Sequence, residues 1–202
     1  HNRRRNKEGV ALVEMIITSA LILLFAGTGT VLITSAVRNY KETKGFAEAL
    51  QVYDIILDKI SGEIEGAIPT SPLNSGDADA VKISEDSISL YDRTGSPVTI
   101  TAEEITDLKS GNTINGLVIH YHQVNISERN YMHEIDWTYD DAMYMGYEIK
   151  SLRFSRDASH PANVIRIDLE MKKQGQTDGI HSAYRYVECY NFGEEEYGKI
   201  TG

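Results

Sequence analysis

The sequence predicts an α+β protein in which a long N-terminal helix packs on an antiparallel β-sheet head. An uncharged apolar run covers residues 15–37, and an amphipathic pattern continues it as far as about residue 68. From residue 80 onward the hydrophobic period changes to two, which is typical of strands buried on one face. A sheet packed on a helix is the expected α+β arrangement for such a pattern.

The apolar run is long enough to cross a membrane. From Met15 to Val37 there are 23 residues without a charge, and a helix of this length covers roughly 30 Å of hydrocarbon. Its apolar side chains surround the helix, whereas a soluble core helix would carry them on one stripe. A signal peptide is the alternative, because Thr34 and Ala36 in "ITSAV" stand where a signal peptidase would cut.

Charge indicates an orientation and excludes one class of partner. Four basic residues precede the run, at positions 3–5 and 7, and three follow it closely, at positions 38, 41 and 44. The positive-inside count therefore favours a cytoplasmic N-terminus by a small margin. The net charge is −10, and the body of the chain carries no basic stripe. We expect no direct nucleic-acid binding, because such binding relies on clustered Lys and Arg.

A single carboxylate, Glu14, interrupts the apolar segment. Near the centre of a membrane helix a carboxylate costs on the order of 2.5 kcal/mol or more, and it costs less near an end. Such residues are usually partnered and functional. Glu14 lies either at headgroup depth, where water solvates it, or beside a positive partner.

The segment "RRRNKEG" followed by "VALVEMIITSALILLF" resembles the leader and first helix of type IV prepilins and pseudopilins. The resemblance covers about residues 3–40. It implies that a prepilin peptidase cuts between Gly9 and Val10 and methylates the new amino terminus. It also implies that Glu14 neutralises the N-terminal amine of a neighbouring subunit during filament assembly.

Two features depart from the family pattern. Val10 follows the glycine where the family most often has Phe or Met, and the usual proline further along the helix is missing. The glycines of "AGTGT" offer an alternative weak point, since glycine lowers helix stability. They equally permit close packing between helices, as small residues do in membranes.

The resemblance implies the domain organisation and the partners. We expect a leader over 1–9, a transmembrane or filament-core half of the helix over 10–37, an amphipathic half over 38–68 and a globular antiparallel head over 69–202. The implied partners are the peptidase, other pilin or pseudopilin subunits, a membrane assembly platform and, before assembly, membrane lipid. The chain would begin in the cytoplasmic membrane and end in a cell-surface filament. The size of the head indicates a minor subunit, and a major subunit is the alternative.

The amphipathic half of the helix and the strands are predicted from periodicity. Apolar residues recur at helical spacing as Phe46, Leu50, Tyr53, Leu57, Ile60, Ile64 and Ala67. The segment "GAIPTSPLNSG" ends the helix. Strands are expected in "AVKIS", "SISLYD", "PVTIT", "NGLVIHYHQV", "YEIKSLRFSR", "NVIRIDLEMKK" and "SAYRYVECYN", with the last two antiparallel to each other.

Two short segments carry possible metal ligands. His120 and His122 are two residues apart on a predicted strand, so that both rings share a face, and His133 is near in sequence. A zinc site needs three or four ligands, and ordinary surface histidines are the alternative. The loop "NSGDADA" offers Asn74, Asp77 and Asp79 as oxygen ligands, but it lacks the twelve-residue calcium-loop pattern. We expect no resident metal or cofactor.

The segment "HEIDWTYDDAMYMGY" is rich in aromatic and acidic residues. Trp137, Tyr139 and Tyr144 are candidates for binding a partner or a glycan, because aromatic side chains anchor many interfaces. The alternative is an insertion packed on the sheet. The sequon at Asn125 matches a short pattern that also occurs by chance.

The sequence does not predict an enzyme. It has no Gly-x-Ser-x-Gly elbow, no phosphate-binding glycine loop and no His-Glu-x-x-His helix. Cys189 is the single cysteine, which excludes an intrachain disulfide, and it is interpreted as a packed thiol. The second functional hypothesis is a single-span anchored domain that binds a ligand outside the cell and does not polymerise.

Overall fold

A computed structural model describes residues 2–71, 79–125, 130–177 and 181–202. Its elements in chain order are a helix, nine strands and two short 3₁₀ helices. They are α1 (Asn2–Glu65), β1 (Val81–Ile83), β2 (Ser87–Tyr91), β3 (Pro97–Thr106), β4 (Thr113–Asn125), β5 (Asn130–Thr138), a 3₁₀ helix (Asp141–Tyr144), β6 (Tyr147–Arg156), β7 (Val164–Lys173), β8 (His181–Glu188), a second 3₁₀ helix (Glu194–Lys199) and β9 (Ile200–Thr201). The predicted α+β class is confirmed.

The chain forms two compact units, residues 1–47 and 48–202. The described part of the first unit is helical throughout and belongs to α1. The second unit contains the rest of α1, from Glu48 to Glu65, together with every described strand. Residues 10–37 of the first unit carry no charge apart from Glu14, whereas the part of α1 in the second unit has an amphipathic pattern.

Within the second unit, one face of α1 is buried in the head. Its buried residues recur at three- and four-residue spacing and include Ala49, Val52, Tyr53, Ile56, Leu57, Ile60 and Ile64. This stripe is the amphipathic face that the periodicity predicts. Phe46 and Leu50, which the same pattern includes, are 52% and 46% exposed. Since Ala49 is buried and Leu50 is not, the buried stripe is narrower than the apolar pattern in the sequence.

The helix ends at Glu65, three residues before the predicted end near residue 68. The last turn tightens, since the Ala67 N–H donates to the Ile64 carbonyl at 3.1 Å. Ile68 then donates its N–H to the Tyr91 carbonyl at 3.0 Å. The chain thus leaves the helix because a hydrogen bond to the end of β2 replaces the next helical one.

The first sheet has six strands in the order β5-β4-β3-β2-β1-β9. All of its pairings are antiparallel except β1 with β9, which is parallel. β4 is the longest strand and pairs with β3 from Tyr121 opposite Val98 to Thr113 opposite Thr106. β5 forms one edge of the sheet and covers part of the aromatic- and acid-rich segment "HEIDWTYDDAMYMGY".

The second sheet has three antiparallel strands in the order β6-β7-β8. The predicted antiparallel pair of the last two long strands is confirmed as β7 with β8. The expectation of one sheet is corrected, because the strands divide into two. Period-two alternation defines which face of a strand is buried but does not say which strand lies beside it.

The buried face of α1 contacts both sheets. The Tyr53 hydroxyl donates to the His181 carbonyl of β8 and accepts from the Met171 N–H of β7 at 3.1 Å. Burial raises the pKa of Tyr53 to about 12. On the other sheet, the Tyr121 hydroxyl donates to the Glu63 carboxylate at 2.6 Å. The C-terminal part of α1 is therefore the common core element of the head.

Candidate functional site

The N-terminal unit presents an apolar helical surface that its own residues leave uncovered. Large apolar side chains stand exposed on all sides of the helix at Leu12, Val13, Met15, Ile16, Ile17, Leu21, Ile22, Leu23, Leu24, Phe25, Val31, Leu32, Ile33 and Val37. The most apolar window has a mean hydropathy of 2.2. Among the described residues this is one helix long and apolar enough to cross a membrane.

Hydroxyl groups in this segment are satisfied within the helix. Thr18 donates to the Glu14 carbonyl and Ser19 to the Met15 carbonyl, both at 2.7 Å. Thr28, Thr30 and Thr34 donate to carbonyls three or four residues earlier in the same way. The polar side chains therefore add little cost in an apolar environment, because their donors already have acceptors.

Glu14 is the exception in this surface. It is the one charged residue between Gly9 and Val37, and its side chain is exposed. No described residue forms a hydrogen bond or ion pair with its carboxylate. A charge in an apolar surface needs a partner or water, so the carboxylate is available to a group from outside the chain.

The predicted processing site lies on the same helix. Gly9 and Val10 belong to the helical backbone of α1, and the side chain of Val10 lies outside the described residues. Glu14 stands four residues beyond Val10, which is about 6 Å along the helix axis. A new amino terminus at Val10 and the Glu14 carboxylate would thus lie about one turn apart.

His120 and His122 share the exposed face of the six-stranded sheet, as predicted, and each meets carboxylates. His120 Nδ1 lies 2.6 Å from Asp136 and its Nε2 lies 3.2 Å from Glu103. His122 Nδ1 lies 3.1 Å from Glu134. The described residues contain no group of three or more His, Cys, Asp or Glu that could hold a metal ion. The side chain of His133 lies outside the described residues.

The pKa of His120 reflects its neighbours. Partial burial of the ring lowers the pKa, but the hydrogen bonds and negative charges of Asp136 and Glu103 outweigh burial and raise it above the usual value. The protonated ring would join three adjacent strands, β3, β4 and β5, through its two nitrogens. This arrangement acts as a cross-strand ion pair.

The second predicted ligand group falls largely outside the structure. Asn74 and Asp77 lie outside the described residues, and Asp79 is exposed just before β1. Asn125 ends β4, and its side chain is also outside the described residues. For these residues the described part of the structure therefore shows no arrangement of ligands around a metal ion.

The three aromatic candidates lie in different elements of the head. Trp137 lies on strand β5, Tyr139 follows it, and Tyr144 ends the first 3₁₀ helix. Tyr144 is 1% exposed, and its hydroxyl accepts a hydrogen bond from the Leu117 N–H at 2.7 Å. Burial raises the pKa of Tyr144 to about 12. Tyr144 is therefore a core residue and is not available to a partner, which corrects that prediction.

Trp137 and Tyr139 pack together and against the helix. Their rings meet edge to face with centroids 4.5 Å apart. The Lys59 ammonium lies 4.6 Å from the Trp137 ring centroid, 2.7 Å from Glu63 and 3.1 Å from the Tyr121 hydroxyl. This half-buried network fastens β4 and β5 to α1. Sequence patterns do not predict this network, because its members are far apart in the chain.

Cys189 is a packed thiol, as interpreted from the sequence. The side chain is fully buried, and burial together with the charge of Glu188 raises its pKa to about 12. A thiol with a raised pKa holds little thiolate and is a poor nucleophile.

Comparison with known proteins adds no relative. No protein-family description, curated protein or solved structure matches the chain.

Proposed function

We propose that the chain is a structural subunit, of the minor class, of a type IV pilus or a related pseudopilus. One observation carries the proposal. The motif "EGVALVE", with Gly9, Val10 and Glu14 at the family spacing, lies at the start of a continuous helix whose next residues expose an apolar surface all round. That combination suits a segment that is first held by lipid and later packed among other helices.

The proposed mechanism begins at the cytoplasmic face of the membrane. Arg3, Arg4, Arg5 and Lys7 hold the leader there, and Gly9 gives a prepilin peptidase unhindered backbone. Cleavage exposes the amine of Val10, which the peptidase methylates. The segment 10–37 keeps the subunit in the membrane until the assembly platform moves it into a filament, and the head is carried to the cell surface.

Glu14 then sets the register between subunits. An amine and a carboxylate attract strongly in a medium of low dielectric, but each is costly there without its partner. The pair therefore stabilises the arrangement in which the amine of one subunit lies beside Glu14 of its neighbour. Because the two groups are about one turn apart on each helix, the pairing favours neighbours offset by about that distance.

Processing is tested by the N-terminus and intact mass of the protein recovered from its native membrane. The proposal expects a chain that begins at Val10 and is heavier by one methyl group. Gly9→Val should block cleavage. Gly27→Ala is the matched control, because a Cβ there meets no atom within 4 Å. An uncleaved wild-type chain would instead favour a plain membrane anchor, and a start at Val37 a secreted domain.

Assembly is tested by Glu14→Ala. We expect unchanged membrane insertion and loss of incorporation into filaments, because the N-terminal amine of the neighbour loses its partner. Thr18→Ala is the control, since it removes a polar group one turn away without changing charge. Normal incorporation of the Glu14→Ala chain would show that this carboxylate does not set the register.

A further inference from the structure

β8 forms one edge of the three-stranded sheet, and among the described strands it pairs with β7 alone. Two contacts identify which of its backbone groups face β7. The Cys189 N–H, directly after β8, donates to the Asn163 carbonyl at 2.9 Å. At the other end, the Tyr53 hydroxyl lies between the His181 carbonyl and the Met171 N–H and is bonded to both. Residues of odd number in β8 therefore point their N–H and C=O groups toward β7.

Residues of even number present their backbone groups to the open side of β8, the side that faces away from β7. The N–H and C=O of one residue in an antiparallel strand point to the same side, and those of the next residue point to the other. The groups of Ser182, Tyr184 and Tyr186 therefore point to the open side, and no hydrogen bond from the described part of the chain reaches them. Ser182 is exposed, Tyr184 is 63% exposed and Tyr186 is half-buried. The open side thus offers accessible donors and acceptors.

β8 lacks the features that usually protect an edge strand. Natural edge strands often carry Lys, Pro or a bulge, which prevent pairing with another chain. The sequence of β8, "HSAYRYVE", contains neither Lys nor Pro, and its register with β7 is regular. The edge strands β5 and β6, in contrast, both lie in pairings with a register shift. β8 is therefore open to a further strand along its length.

The arginines in and beside β8 already have acidic partners. Arg185 pairs with Asp58 and lies 3.6 Å from Asp54 on α1. Arg166, on the neighbouring strand β7, pairs with Asp168 at 2.6 Å. These pairs leave the edge without an arginine for an acidic ligand, and its most exposed aromatic group is an uncharged tyrosine ring. A strand that complements this edge is therefore uncharged at the positions that lie against it.

A second copy of β8 meets that requirement. Because residues of even number must face each other, the two antiparallel registers with the longest overlap place either Tyr184 opposite Tyr184 or Arg185 opposite Arg185. The second register opposes like charges, which destabilises a strand pair. The first places Ser182 opposite Tyr186 and Ala183 opposite Arg185, so that no like charges meet. It also places two exposed tyrosine rings side by side, and such aromatic pairs stabilise neighbouring strands.

We propose that β8 pairs antiparallel with β8 of a second copy of this chain, with Tyr184 at the two-fold axis. Each copy presents the same surface to the other, as in a closed dimer. Strand addition supplies about six main-chain hydrogen bonds, from Ser182, Tyr184 and Tyr186 of both copies. The inference rests on the geometry of the head alone and is independent of N-terminal processing.

Cysteine cross-linking of the detergent-solubilised full chain tests the register. Copper phenanthroline oxidises two neighbouring thiols to a disulfide. Tyr184→Cys should give a disulfide-linked dimer, because the opposed Cα atoms are about 5.5 Å apart. Ser182→Cys is the matched control, since Ser182 is exposed on the same side of β8 but its two copies are about 13 Å apart along the strands. The unmodified chain measures the background from the buried Cys189.

Sedimentation of the full chain in density-matched detergent micelles measures the dimer directly. Tyr184→Lys should raise the dissociation constant at least about tenfold, because it opposes two ammonium groups at the axis. Tyr190→Lys is the matched control, since Tyr190 is 66% exposed but lies outside β8. Three results would each overturn the proposal: a disulfide yield no higher for Tyr184→Cys than for Ser182→Cys, equal losses in the two lysine variants, or a chain that stays monomeric at about 100 µM. A monomeric chain would leave the edge to a strand of a different protein.

Discussion

His120 illustrates what one residue contributes to the head. Its ring stands between Asp136 on β5 and Glu103 on β3, so its protonation state affects three strands together. The pKa of His120 is raised in the folded protein. A group of this kind stabilises the fold fully below its unfolded pKa of about 6.5, and the stabilisation is lost as the pH rises through the folded pKa.

We therefore predict that His120→Gln destabilises the head more at low pH than at high pH. At about pH 5.5 the variant should lose about 1 kcal/mol or less of unfolding free energy, which is the range of partly exposed ion pairs. At about pH 9 the loss should be smaller. Urea unfolding followed by the fluorescence of Trp137, the one tryptophan, measures both values.

The control for this prediction is an Asp136→Asn background. Removing the closer carboxylate should reduce the pH-dependent part of the His120→Gln effect, as in a double-mutant cycle. An effect of equal size at both pH values would show that the ring acts through packing and not through its charge.

At the scale of elements, helix α1 shows which residues of a periodic apolar pattern become buried. Ile60 and Leu57 point into the head and are buried, whereas Leu50, which belongs to the same apolar pattern, is 46% exposed. The pattern identifies the apolar face of the helix. Ala49 is buried one residue before Leu50, so the part of that face that is covered depends on which side of the helix the strands pack against.

This difference predicts unequal responses to truncation. Ile60→Ala should lower the free energy of unfolding of the head by about 2–5 kcal/mol, because it leaves a cavity in a fully buried position. Leu50→Ala should change it by about 0.5 kcal/mol or less, as for a surface substitution. Denaturant unfolding of the detergent-solubilised chain measures both. Similar losses in the two variants would contradict the placement of Leu50 outside the core.

The sheets show the limit of the same reasoning. Every segment named as a strand from the sequence contains one, and β7 with β8 pairs as expected. Periodicity does not predict β5, because its residues 130–138 are rich in charged and aromatic side chains and do not alternate cleanly. The strand forms because it pairs with the edge of β4 and because Trp137 packs beside Lys59. Those partners are distant in sequence.

At the scale of the whole molecule, composition divides the chain into two units with different environments. The head buries a core of its own, whereas the large apolar side chains of residues 12–37 remain exposed in the N-terminal unit. An apolar surface of this extent requires lipid or other helices around it. The two environments explain why one helix carries two hydrophobic patterns.

Leu24→Arg tests the environment of the apolar segment. Leu24 is near the middle of residues 10–37, where arginine costs about 2.5–3.5 kcal/mol in a membrane helix. We expect the variant to be lost from carbonate-washed membranes, by roughly a hundredfold at equilibrium. Leu24→Phe is the control and should remain in the membrane fraction. Retention of the arginine variant would contradict a membrane span at this position.

The sequence by itself determined the long helix, the apolar segment with its single carboxylate Glu14, and the α+β class. These features depend on local properties, namely periodicity, charge and helix-breaking residues, which are readable along the chain. Only the tertiary structure decided that there are two sheets, that Tyr144 is a core residue and that Lys59 holds β5 against α1. Each of these depends on contacts between residues distant in sequence, which alternation alone does not specify.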